Sequence, residues 1–301
     1  MNVKFPMAQQ PLLMPTVGNG NPKPPKVTED DVTKLLKPTS NRKAPGPDNL
    51  NYKTLKLLNR TYPAVLPSLF NACLHLGYFP SAWKVGRVVF IPKPGKEPTE
   101  PDSYRPLTML SCLGKLLEEV INCRLLEHFE EKLPLHSVQY GFQTGKSCEE
   151  AVHHALRGIN YRQELHPLTG AISLDIKGAF DHADWSNIMD TLVTKDTPWY
   201  LVQCVHSDFT KRTGTCGKET VCLERGCPQG SVLGSSLWNI LYDTIVSDLH
   251  LLYPTTCAYA DDTLIIMGGQ DMWELQQRVR DAITTASSLL QLLGLELNTS
   301  K

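Results

Sequence analysis

Apolar residues recur every three or four positions along several long segments, which is typical of helices that bury one face. These predicted helices cover residues 55–74, 113–129, 148–162, 185–194, 198–210, 230–249 and 272–293. Between them, short apolar or alternating runs predict strands at residues 88–91, 171–175, 213–223, 255–267 and 295–297. In the second half the order is strand, two helices, a strand pair, a helix, a second strand pair, a helix and a strand. This order predicts an α+β fold, with helices on one face of a small antiparallel sheet.

The first 35 residues depart from this pattern because proline and glycine interrupt them. They include Pro11, Pro15, Gly18, Gly20, Pro22, Pro24 and Pro25. Such a composition predicts a flexible lead-in over residues 1–35 rather than part of a packed core.

Composition limits the class of protein. At 301 residues with 41% apolar and 20% charged residues, the chain is long enough and balanced enough for a globular core, and it has no apolar run of membrane-spanning length. Nine scattered cysteines without a CxxC pair indicate reduced thiols and an intracellular protein. The formal net charge of −1 argues against a broad basic surface, although cations are concentrated between residues 84 and 115.

Two adjacent carboxylates, Asp261 and Asp262, stand between the apolar runs 255–258 and 263–267. This pattern predicts a tight hairpin with the acids at its tip. Asp175 ends another apolar strand, and if the two strands are neighbours the carboxylates converge. Converged carboxylates suit two Mg²⁺ ions about 3.5–4 Å apart, the arrangement used for in-line phosphoryl transfer. The alternative is that acids cap helices or face solvent, which fits Asp181 and Asp184 well.

Seven segments carry motifs that are read together. The sequence has SLDIKGAFD at 173–181, GCPQGSVLG at 226–234 and AYADDT at 258–263, with further segments at 43–48, 103–107, 139–142 and 294–301. In this order they resemble the motifs of reverse transcriptases from non-LTR (LINE-type) retrotransposons. The sequence around Gln229 is most similar to that of jockey-type elements. The resemblance covers roughly residues 43 to 301.

The resemblance implies a right-hand polymerase fold. Residues 36–165 would form the fingers and residues 166–301 the palm, with some finger elements between about residues 186 and 228. The resemblance extends over fingers and palm only, so the chain is expected to lack a thumb. A chain with fingers and palm alone is expected to grip a primer–template duplex poorly.

The resemblance also assigns roles to single residues. Asp175 and Asp261, with the backbone carbonyl of Ile176, would hold two Mg²⁺ ions, which Mn²⁺ could replace in vitro, and Asp262 would tune the site. Phe180 would lie under the sugar of the incoming nucleotide and exclude a 2′-hydroxyl, although a core position explains this residue equally well. The other implied contacts are Lys93 and Arg105 to the triphosphate, Gln229 and Gly230 to the nucleotide and template base, and Lys301 as general acid for pyrophosphate.

The implied function is an RNA-directed DNA polymerase that binds an RNA template, a DNA primer and dNTPs, and adds dNTPs to the primer 3′-hydroxyl. One alternative is a catalytically silent retroelement remnant that at most binds nucleic acid. Another alternative is a viral RNA-dependent polymerase. Phe180 and Tyr259 argue against it, because both favour an enzyme that synthesises DNA.

Overall fold

The computed structural model describes residues 7–8, 11–15, 22–95, 97, 99 and 103–298. In these residues the helices are α1 Glu29–Leu36, α2 Tyr52–Thr61, α3 Val65–Leu76, α4 Cys112–Lys132, α5 Cys148–Leu165, α6 Ala179–His182, α7 Trp185–Thr194, α8 Trp199–Phe209, α9 Leu233–Leu252 and α10 Met272–Leu292. The strands are β1 Val85–Pro92, β2 Tyr104–Met109, β3 Leu168–Leu174, β4 Thr213–Cys216, β5 Glu219–Cys222, β6 Thr256–Tyr259 and β7 Asp262–Gly269. None of the described helices combines the length and the apolar character that crossing a bilayer requires.

The strands form two separate sheets, and the predicted α+β class is confirmed. The first sheet has the order β2-β1-β4-β5, in which β1 runs antiparallel to β2 and parallel to β4. The second has the order β3-β7-β6 and is antiparallel throughout. Helices α4, α7, α8 and α9 pack on one another and contribute much of the main core.

Most elements lie where the apolar periodicity predicts them, including α4, α5, α7, α8, α10 and the β4–β5 hairpin. Local differences have physical reasons. The single helix predicted over residues 55–74 is divided into α2 and α3, because Tyr62 precedes Pro63 and leaves the helical conformation. The helix predicted to open at Ser231 begins at Leu233, because the backbone of residues 226–231 is held by contacts to other segments. Strand β2, which contains Pro106, was not predicted; it pairs with β1 on one side only, an edge position where the missing proline N–H is tolerated.

The predicted flexible lead-in extends too far along the chain, because residues 27–35 are part of the packed structure. Helix α1 begins with a capping box, in which the Thr28 hydroxyl accepts a hydrogen bond from the Asp31 N–H and the Asp31 carboxylate accepts one from the Thr28 N–H. Val27 and Val32 are buried in the main core. The predicted boundary between residues 35 and 36 therefore falls inside α1. This helix is short, so its apolar periodicity is not recognisable next to the proline-rich segment that precedes it.

The three-stranded sheet is covered by helices on both faces. Side chains alternate between faces along a strand, so Ile266 and Met267 point in opposite directions. A Cβ added to Gly158 of α5 would lie 3.1 Å from Cδ1 of Ile266. On the other face, Gly170 pairs with Met267 and packs against Leu275 of α10. The prediction that helices cover only one face is therefore wrong, since α5 covers part of the second.

Candidate active site

The acid pair lies at the tip of the β6–β7 hairpin, as predicted. Tyr259 pairs with Asp262, which leaves Ala260 and Asp261 as the two residues of the turn. Ala260 adopts a positive φ of 57°, the conformation that a tight hairpin turn requires. Asp261 is half-buried and Asp262 is exposed.

Asp175 lies beside this tip. It directly follows β3, whose last residue, Leu174, pairs with Thr263 of β7. Continuing this antiparallel register by one residue sets Asp175 opposite Asp262, with both side chains on the same face of the sheet. Directly opposed residues have Cβ atoms only about 5 Å apart. The fold thus brings the predicted carboxylates to one edge, on the face where Ala171 and Ser173 of β3 are exposed.

The segment after α10 orients the Asp175 carboxylate. It lies along the outer edge of β3, where Leu297 bridges to Ile176. The Asn298 backbone N–H donates to the Asp175 carbonyl at 2.8 Å, and its side-chain amide donates to Asp175 Oδ2 at 2.6 Å. Asn298 is a site residue that was not predicted from the sequence, although it belongs to the last of the seven motifs. No local pattern indicates that this amide reaches a carboxylate so far away in the chain.

The backbone of Ile176 is turned towards the hairpin. The Asp175 carbonyl and the Lys177 N–H both point to the outer edge, where they bond to Asn298 and Glu296. Successive peptide groups along a strand point to opposite edges, so the carbonyl of Ile176 faces the β7 side. Two carboxylates and one carbonyl are hard oxygen ligands of the kind that Mg²⁺ prefers, and Mg²⁺ takes its remaining ligands from water and phosphate. The donor set therefore fits this ion, although the described residues contain no group of three or more His, Cys, Asp or Glu side chains that would enclose a metal.

Residues 138–141 support the hairpin from the side. Ala258 of β6 donates to the Val138 carbonyl at 2.9 Å and accepts from the Tyr140 N–H at 2.8 Å. Gly141 is packed on the turn itself, since a Cβ at this position would lie 2.3 Å from the backbone nitrogen of Ala260. The Asn239 side chain of α9 holds the Gly141 carbonyl at 2.7 Å. The position of the acid turn thus depends on a segment distant in the chain.

Phe180 belongs to a row of aromatic rings that ends under the hairpin. Its ring centroid lies 5.8 Å from that of Phe142 and 5.1 Å from that of Trp238, which in turn stacks on Tyr242 at 5.3 Å. The Tyr242 hydroxyl contacts the Thr263 hydroxyl at 2.7 Å. Burial raises the pKa of Tyr242 to about 12, and the nearby charges of the two hairpin acids act in the same direction. Phe180 is half-buried and packs against the core.

The loop that contains Gln229 and Gly230 lies between Phe180 and strand β2. The Cys227 N–H donates to the Phe180 carbonyl at 2.7 Å, and the Gln229 carbonyl accepts from the Thr108 N–H at 2.8 Å. Gly230 has a φ of 118°, and a Cβ there would lie 2.3 Å from the Thr108 carbonyl oxygen. Only glycine fits this position, because both the conformation and the close approach exclude a side chain.

The two predicted phosphate contacts lie on the other sheet. Arg105 pairs with Ile91, and Lys93 follows two residues later, so the two cations share one face of the β1–β2 hairpin. Burial raises the pKa of the Asp181 carboxyl, and the nearby charges of His182 and Lys93 oppose that rise. The proximity of Lys93 connects the hairpin with α6, which carries Phe180. Asp181 is thus half-buried rather than solvated, whereas Asp184 caps α7 as predicted. Lys301 lies outside the described residues.

Together these features define an α+β protein with an acidic hairpin site suited to metal-assisted phosphoryl transfer. Residues 91–301 match the family model described as reverse transcriptase (RNA-dependent DNA polymerase), and the chain belongs to this family. Reverse transcriptases generally use divalent metal ions.

Three relatives illustrate the similarity. The chain is 32% identical over 283 residues to the putative 115 kDa protein in the type-1 retrotransposable element R1DM of Drosophila melanogaster, over 92% of this chain and 27% of that protein. It is 33% identical over 219 residues to the RNA-directed DNA polymerase from mobile element jockey of Drosophila funebris, over 71% and 24% of the two chains. The probable RNA-directed DNA polymerase from transposon BS of Drosophila melanogaster is 30% identical over 286 residues, over 90% and 31%.

The resemblance to non-LTR retrotransposon enzymes is therefore confirmed. The chain spans only about a quarter to a third of the length of these curated relatives.

Proposed function

We propose that this chain is the polymerase centre of a non-LTR retroelement protein, which adds dNTPs to a primer 3′-hydroxyl on an RNA template. The observation that carries this proposal is the antiparallel pairing of β3 with β7, which ends at Leu174 and Thr263 and so leaves Asp175 next to Asp262 and to the turn that carries Asp261. Carboxylates brought together at one exposed edge suit the binding of divalent metal ions, which neutralise negative charge in phosphoryl transfer.

The two sheets suggest how the parts of the polymerase are divided. We assign β3, β6 and β7 with α9 and α10 to the palm, and the β1–β2 hairpin with the helices before β3 to the fingers. Pairing of β1 with β4 supports finger elements within residues 186–228. Because α1 packs in the core, the fingers would begin near residue 27 rather than residue 36.

Asp175, Asp261 and the Ile176 carbonyl are the residues that would hold two Mg²⁺ ions, or Mn²⁺ in their place. When bound, such ions lower the pKa of an attacking hydroxyl and neutralise phosphate charge. Within the chain, Asn298 orients the Asp175 carboxylate through a hydrogen bond to Oδ2. Asp262, exposed on the same face, would add negative charge without serving as a principal ligand.

The incoming nucleotide would lie between the two sheets. Arg105 and Lys93 would bind the triphosphate, the former with bidentate geometry. The half-buried ring of Phe180 would contact the sugar, and the loop of Gln229 and Gly230 would contact the nucleotide and template base. Lys301 would protonate the leaving pyrophosphate.

Primer extension by the 301-residue chain on an RNA template tests this function. Incorporation of dNTPs well above rNTPs is expected. A protein that binds the primer–template but extends it under no condition would instead be the silent remnant. Preferential use of rNTPs would indicate an RNA-synthesising polymerase.

Metal dependence gives a second test. Chelation with EDTA is expected to abolish extension completely, and added Mg²⁺ or Mn²⁺ should restore it, because the acids by themselves repel a triphosphate. The rate of extension against free metal concentration is the measurement. Extension that persists at full strength in excess chelator would contradict the assignment of the acids as metal ligands.

Replacement of Phe180 by alanine is expected to weaken sugar discrimination by about 10- to 100-fold, the range over which an apolar pocket rejects an added hydroxyl. The measurement is the ratio of kcat/KM for a dNTP to that for the matching rNTP. This ratio is independent of the folded fraction, which matters because the ring also packs on Trp238. The control is Phe180→Tyr, which keeps the ring and should keep the discrimination. A ratio unchanged in the alanine variant would leave Phe180 as a core residue only.

A further inference from the structure

A buried carboxylate on α4, Glu118, holds the loop that carries Gln229 and Gly230. Its Oε2 accepts a hydrogen bond from the Ser231 hydroxyl at 3.0 Å and another from the Val232 backbone N–H at 2.6 Å. The residue is 1% exposed. A buried carboxylate is costly unless donors satisfy it, so these contacts tie the loop firmly to α4.

The negative charge of Glu118 is balanced on its other side. Glu118 Oε1 lies 3.2 Å from a guanidinium nitrogen of Arg212, and a second nitrogen of Arg212 lies 2.6 Å from the carboxylate of Asp208. All three side chains are at most 2% exposed, and the positive charge of Lys84 also acts on Asp208. The interaction joins α4, α8 and the loop before α9 through one charged group. Buried ion pairs of this kind contribute little net stability, but they fix the relative positions of the helices and the loop that they join.

The loop is held from the opposite side by β2. The Gln229 carbonyl accepts from Thr108, and Gly230 is in close approach to the Thr108 carbonyl oxygen. The backbone of Gln229 and Gly230 is therefore fixed by β2, while the next two residues are fixed by Glu118. Neither contact point can move without moving the other.

We infer that Glu118 is a positioning residue for nucleotide binding, acting through Ser231 and Val232 on the neighbouring Gln229 and Gly230. This inference rests on the proposed role of that loop in binding the incoming nucleotide. Glu118 itself contacts neither the acids nor the nucleotide site.

A carboxylate is the group that this position requires. One oxygen receives two donors and the other receives Arg212, and a carboxylate donates nothing in return. A glutamine of the same shape has one oxygen and one NH₂ group. Whichever way its amide is turned, the NH₂ group faces a donor, so either the loop contacts or the Arg212 contact are lost.

The first experiment compares dNTP kinetics in matched variants of the chain. Glu118→Gln is expected to raise the KM for dNTP about tenfold or more, with a smaller change in kcat, since hydrogen bonds to a charged acceptor are lost. Ser231→Ala should raise KM by a smaller factor, and Ser231→Thr, which keeps the hydroxyl, should restore it. Glu119→Gln makes the same isosteric change one residue further along α4 and should leave KM unaltered. Loss of kcat alone, in proportion to the folded fraction, would overturn the inference.

Hydrogen exchange separates this inference from the proposed function. Amides of residues 229–232 should exchange at least about tenfold faster in Glu118→Gln than in the wild type, while amides of α9 and β7 stay protected. If the wild type extends no primer, the proposed function fails, and this measurement still decides the positioning of the loop. If Glu118→Gln does not fold, Ser231→Ala replaces it in both experiments. Unchanged exchange in the loop would refute the positioning role.

Discussion

The Asp175→Asn variant is expected to lose primer extension by at least about 10³-fold and to keep its fold. Asparagine has the same shape, and its side-chain oxygen still accepts the hydrogen bond from Asn298. What disappears is one negative charge at an edge that already carries Asp261 and Asp262. Single-turnover extension under saturating Mg²⁺ and dNTP is the measurement.

Stability should move in the opposite direction to activity. Like charges directly across an antiparallel pair are destabilising, so the variant should unfold at the same temperature as the wild type or slightly above it. Asp184→Asn is the control, because asparagine preserves the cap of α7 and lies outside the site; both activity and stability should be unchanged. Extension retained by the Asp175 variant would remove Asp175 from the proposed metal ligands.

The second large effect is expected from Gly141→Ala. The new Cβ would lie 2.3 Å from the nitrogen and 2.8 Å from the Cα of Ala260, so backbone must shift on one side or the other. The turn that carries Asp261 is the part in contact, and a displacement of about 1 Å in a catalytic group can cost about 10²-fold in rate. Over-packing should also lower the free energy of unfolding by about 1–3 kcal/mol. Both quantities are measurable, by primer extension and by denaturant unfolding.

Gly217→Ala is the control that separates the loss of activity from the loss of stability. Gly217 lies at the β4–β5 turn with a φ of 62° and open space around it, so alanine adds only backbone strain of about 1 kcal/mol. This control should lose stability and keep full activity per folded molecule. If Gly141→Ala behaves like the control, the contact with Ala260 does not position the acid turn.

Much of this architecture was predictable because local patterns determine local structure. Periodic apolar residues identified α4, α5 and α10, and the acids between two apolar runs identified the β6–β7 hairpin. The consecutive apolar residues Ile265 and Ile266 were also a sign that β7 is buried on both faces. The prediction that helices cover only one face of the sheet did not take these two residues into account. The short helix α1 was missed because, apart from its capping box, its stability comes from packing on residues far away in the chain.

The sequence alone therefore determined the class of the protein, the elements that carry its site and the acids at the hairpin tip. Only the tertiary structure decided that β3 pairs with β7 and so brings Asp175 beside the hairpin tip, that Asn298 orients it and that Glu118 and Arg212 meet in the core. The reason is physical: helices, strands and turns follow from neighbouring residues, whereas strand register and buried charge pairs follow from how distant surfaces pack together.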